Sequence, residues 1–92
     1  MKTTKFDVQN HLETRKERIA YLEAVMEDGD PSLIAAALGD IARAVGPSRF
    51  ARETGLSRET IYKALQPGGN PTLDTLAKSM KALGVRLSLR AI

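Results

Sequence analysis

The sequence predicts an all-α, five-helix domain with a short C-terminal β-strand, and three observations lead there. Apolar residues recur at intervals of three and four through most of the chain, the period of a helix with one buried face. The blocks so formed are opened by capping residues and closed by glycine or proline. The end, "VRLSLRAI", changes to strict apolar and polar alternation.

In chain order, Met1 to about Thr14 is polar with isolated Phe6, Val8 and Leu12, and reads as an N-terminal arm. Thr14 and Glu17 stand at capping-box spacing, so a first helix starts near Arg15, with Ile19, Leu22, Val25 and Met26 on its inner face and Gly29 as its stop. Asp30 caps a second helix with Pro31 at its first position, where the missing N–H costs nothing. Its stripe is Ile34, Leu38, Ile41 and Val45, and Gly46 closes it. A short third helix is expected from about Ser48 to Thr54, a fourth from Arg58 to Leu65 capped by Ser57, and a fifth from Leu73 to Leu83 capped by Thr72 and stopped by Gly84. "QPGGNP" breaks the chain between the last two. The domain therefore runs over residues 15–84, followed by the strand at 85–92. A lone strand needs another to pair with, and the nearest candidate is its own copy, through Val85, Leu87 and Leu89 at a dimer two-fold. The alternative is an irregular tail packed on the first or fifth helix.

Composition bounds the chemistry. A chain of 92 residues buries only about 60 to 65% of its unfolded surface. Cysteine is absent and His11 is the single histidine, which argues against disulfides, a metal centre, a cofactor or a catalytic triad, and suits the cytoplasm. Asp40, Glu53, Glu59 and Asp74 are isolated carboxylates, so no enzyme is expected. Asp40 and Arg43 interrupt the longest apolar run well short of the roughly 20 residues a membrane span needs, and the start lacks a signal peptide's apolar core. The formal charge of +3 is unevenly spread: residues 1–42 hold five Lys/Arg against eight Asp/Glu, residues 43–92 nine against three. A polyanion on the basic side and a different partner on the other would suit that asymmetry.

The basic half contains "RFARETGLSRETIYKAL". Two short helices that cross steeply need a small side chain where they touch, which Ala51 supplies, and a turn residue that tolerates positive φ, which Gly55 supplies. Leu56, Ile61 and Leu65 then form the inner side of a helix-turn-helix. The free face of its second helix carries Arg58, Glu59, Thr60, Tyr62 and Lys63, side chains able to reach base edges in a major groove. Arg58 and Glu59, at the helix start, are the first choices as readers. Lys63, with Arg43, Arg49 and Arg52, suits phosphate clamping, joined by Ser48 and Ser57 at the helix starts. Tyr62 suits either sugar-phosphate stacking or cover for the neighbouring helix. The same charges also fit an ordinary solvated face.

"PSRFARETGLSRETIYKAL" followed by "GGNPTLDTLAKSMKALGVRL" resembles the Xre/Cro-type, lambda-repressor-like helix-turn-helix domains. With "DGDPSLIAAALGDIARAVG" before it, the chain looks more narrowly like the addiction-module antidote proteins. The resemblance implies an antitoxin that neutralises a small RelE/HigB-like ribonuclease toxin and represses its own operon by binding operator DNA; a homodimer is expected, its two recognition helices about 34 Å apart. Against a basic ribonuclease, the acidic residues Glu23, Glu27, Asp28 and Asp30 offer complementary charge. A plain Xre-type regulator without a toxin, and an interaction module that has lost DNA binding, are the competing readings.

Overall fold

In the computed structural model, residues 12–92 are described. They form α1 (Arg15–Asp28), α2 (Pro31–Val45), α3 (Pro47–Thr54), α4 (Arg58–Ala64) and α5 (Leu73–Ala82). The start of each of four helices is closed by a short polar side chain. Thr14 Oγ1 accepts from the Glu17 amide at 3.1 Å while the Glu17 carboxylate accepts from the Thr14 amide at 3.0 Å, so both members of the capping box satisfy an otherwise orphan donor. Asp30, Ser57 and Thr72 cap α2, α4 and α5 in the simpler way.

Helix α2 is the centre of the molecule. It packs against α1, α3 and α4, and Ala35, Ala37, Leu38, Ile41 and Ala42 are all at most 1% exposed. Three of those five are alanine, which is how one helix can meet three neighbours on several sides. The core is completed by Phe50 of α3, Leu22 of α1, Ile61 in the middle of α4 and Leu65 just past its end, and Met80 and Leu83 around α5. Burial of a side chain such as Phe50 contributes about 1.5 to 3 kcal/mol. Helix α5 lies against α3, and there the fully buried Ser79 donates its hydroxyl to the Thr75 carbonyl at 2.8 Å, so no polar atom is stranded.

Two arginines of α1 bond backbone carbonyls outside their own helix, one distant in the chain and one near. Arg15 donates from Nε to the Leu83 carbonyl at 3.1 Å and from Nη2 to the Gly84 carbonyl at 3.4 Å, satisfying acceptors left over where α5 ends and placing a cation at its negative pole. Arg18 bonds the carbonyls of Leu12 and Glu13 at 2.9 and 3.0 Å and holds the buried Leu12 against the core.

The expected C-terminal strand does not form. Among the described residues there is no strand, and residues 85–92 are irregular. Their backbone finds no neighbouring edge: the Val85 amide turns back to the Met80 carbonyl at 3.0 Å instead. The tail is irregular, as the alternative expected, but its packing is confined to Val85, whereas Leu87, Leu89 and Ile92 are exposed. The pairing of strands across a two-fold is withdrawn with the strand itself. Residues 1–11 of the expected arm, His11 included, lie outside the described residues.

Candidate nucleic-acid interface

The segment from Pro47 to Leu65 folds as two short helices around the turn Gly55–Ser57. Gly55 has φ +80°, and its amide bonds the Ala51 carbonyl at 2.9 Å. A side chain there would meet no atom but would sit in a disfavoured backbone region. Buried Thr54 stitches the bend, donating to the Phe50 carbonyl at 2.7 Å and accepting from the Leu56 amide at 3.1 Å. Leu56, Ile61 and Leu65 face inward at 9%, 4% and 2% exposure, and Ala51 is half-buried beside them. The inner side of α4 is thereby pinned and its outer side left to solvent.

That outer side is built of side-chain pairs. Arg58 donates from Nη1 to Ser48 Oγ at 3.2 Å and from Nη2 to Tyr62 Oη at 3.3 Å, so one guanidinium joins the start of α3 to the middle of α4. Lys63 Nζ lies 3.4 Å from Glu59 Oε2, both side chains about three-quarters exposed at 77% and 75%. Ser57 Oγ accepts from the Thr60 amide at 3.0 Å and donates to Thr60 Oγ1 at 2.9 Å, so these two hydroxyls are occupied with each other at the cap. On α3, Arg49 donates to Glu53 at 2.8 Å. Arg52 is exposed, with no hydrogen bond or ion pair among the described residues.

Arg43 stands apart from this group. It bonds Asp40 on its own helix, and its guanidinium lies beside Gly39 and the Leu65 carbonyl, at the opposite end of the α4 segment from Arg58. Asp40 also accepts from the Tyr21 hydroxyl at 2.8 Å. Burial, helped by that bond and the carboxylate's charge, pushes the Tyr21 phenol up to about 12.

Sequence reasoning missed Gly39. A Cβ there would fall inside van der Waals contact with the Leu65 carbonyl oxygen, so this glycine sets how closely the end of the α4 segment approaches α2. A glycine in the middle of a helical pattern was the available signal.

A second surface lies elsewhere. On α1 and just beyond it, Glu23, Glu27, Asp28 and Asp30 are exposed, with Asp30 also serving as the α2 cap. An open groove of about 880 Å³ separates α1 from the C-terminal tail, bridged by Arg90 at 3.8 Å from Glu27. Among the described residues no three His, Cys, Asp or Glu side chains gather as for a metal ion, and no helix is long and apolar enough to cross a membrane.

Residues 2–91 match a family described as "Probable addiction module antidote protein". A Haemophilus influenzae protein described as "Uncharacterized protein" is 46% identical over 85 residues, which span 92% of this chain and 88% of that one. No solved structure matches significantly.

Proposed function

The chain belongs to the family of probable addiction module antidote proteins, and from that premise we propose that it is an antitoxin that neutralises a RelE/HigB-like ribonuclease toxin and, as a homodimer, represses its own operon. Family membership implies a toxin partner in general. The DNA-binding half of the reading rests on one observation: α3 and α4 bury their apolar sides around a positive-φ glycine turn and leave Arg58, Glu59, Tyr62 and Lys63 on a single exposed face. In this reading the fold is of the lambda-repressor type, α4 enters the major groove with Arg58 and Glu59 foremost, and Arg49, Arg52 and Ser48 at α3 lie toward the phosphates. The acidic residues on and just after α1 face the toxin, since an enzyme that binds RNA is itself basic.

The test is co-expression of tagged protein with the neighbouring gene, followed by a gel shift of the eluate on the DNA upstream of the pair. A small co-purifying partner with a sequence-specific shift is the expected result. A specific shift without any partner leaves a plain regulator of the same fold. A partner without a shift removes the autorepressor role.

A further inference from the structure

We propose that Ser48 and Tyr62 are positioning residues that hold the Arg58 guanidinium in one pose for reading a base pair. The inference rests on the DNA-binding reading above and changes two assignments within it. From the sequence, Ser48 stands as a phosphate anchor and Tyr62 as a base or sugar contact. In the structure both hydroxyl groups are instead spent on Arg58, at 3.2 and 3.3 Å, from opposite edges of the turn.

The chemistry of arginine gives this arrangement its value. A long side chain at an exposed helix start samples many rotamers, and fixing it on a base costs rotamer entropy at the moment of binding. A guanidinium has five N–H donors in a rigid fork, and the two bonds to Ser48 and Tyr62 use two of them. Three remain to meet the paired acceptors of a guanine edge. Because Ser48 belongs to α3 and Tyr62 to α4, the pose of Arg58 also depends on the angle between the two helices. The neighbouring pair shows the contrast: among the described residues Glu59 and Lys63 are tied to each other within one helix and have no support from α3.

The experiment uses the full chain and a duplex chosen by it from a randomised pool. Binding of fluorescent duplex is measured by anisotropy for wild type, Ser48→Ala, Tyr62→Phe and the double variant, each also in an Arg58→Ala background. The expected result is a loss of about tenfold in discrimination at one base pair for the double variant. Affinity for unrelated duplex and the salt dependence stay unchanged, and the two substitutions have no further effect once Arg58 is alanine. A double variant that keeps full discrimination overturns the inference. So does one that weakens all duplexes equally with a shallower salt slope, since that behaviour belongs to direct phosphate contact. If the wild type selects no sequence from the pool, the DNA reading itself falls and this inference with it.

Discussion

Gly39 shows how much can depend on a missing side chain. Alanine is the better helix former by about 1 kcal/mol, so Gly39→Ala would stabilise α2 if propensity alone decided. The Leu65 carbonyl stands where the new methyl would go, and backbone cannot swing aside as the tip of a flexible side chain does. Overpacking of this kind costs about 1 to 3 kcal/mol, and Gly39→Ala is expected to lower the urea midpoint despite the propensity gain. A raised midpoint would mean that the α4 segment moves off α2 without cost. Tyr21 offers a second test at the same scale. Its phenol is pushed up to about 12, above the ordinary 10, so the fold favours the neutral form. That stabilisation is complete below pH 10 and lost as pH rises through about 12. The chain has two tyrosines, so in Tyr62→Phe the tyrosinate absorbance reports Tyr21 alone and should rise only near pH 12. Adding Asp40→Asn removes the carboxylate, and the rise should move to lower pH.

Among the helices, what was legible in the sequence is what is local. The capping box at Thr14 and Glu17, the Asp30-Pro31 start of α2 and the serine and threonine caps of α4 and α5 all act within one turn, so spacing alone exposes them. The bond from Arg15 to Leu83 spans 68 positions and leaves no local trace. Neither does the closeness of Gly39 to Leu65. The tail misled for a related reason: alternation reports which side chains could share a face, and whether a backbone finds a partner strand is a tertiary fact. The outer face of α4 was read residue by residue, yet the Arg58 link to Ser48 crosses between helices and stayed hidden. Two substitutions test the assembly. Arg15→Ala removes the cation and donors from the end of α5 and should cost about 1 kcal/mol, seen as a lower melting temperature by circular dichroism. Ile61→Ala, which empties a core position in a seven-residue helix, should cost roughly 2 to 5 kcal/mol. Equal, small losses would show that α4 is held by its ends and not by its buried face.

For the molecule as a whole, charge divides the chain in two and the packing of α2 joins the halves. Residues 1–42 contain the acidic excess and residues 43–92 the basic one. Helix α2 contacts both α1 and α4, so the acidic outer face of α1 and the basic face of α3 and α4 are built on one shared support. In the proposed function the two partners would meet separate faces, and their losses should be separable. Reversing Glu23, Glu27 and Asp28 together to lysine should abolish co-purification of the partner while leaving the gel shift on upstream DNA in place. Arg52→Ala combined with Lys63→Ala should do the opposite, keeping the partner and lowering the slope of log affinity against log salt by about two, one per lost phosphate contact. Within that pair the larger share should come from Arg52, because it has no hydrogen bond or ion pair among the described residues, whereas Lys63 must first leave Glu59. If the α1 reversal abolished the shift while circular dichroism showed an intact fold, the DNA and partner surfaces would have to overlap. The division of labour drawn from charge would then be wrong, and α1 would have to be placed on the DNA side of the molecule.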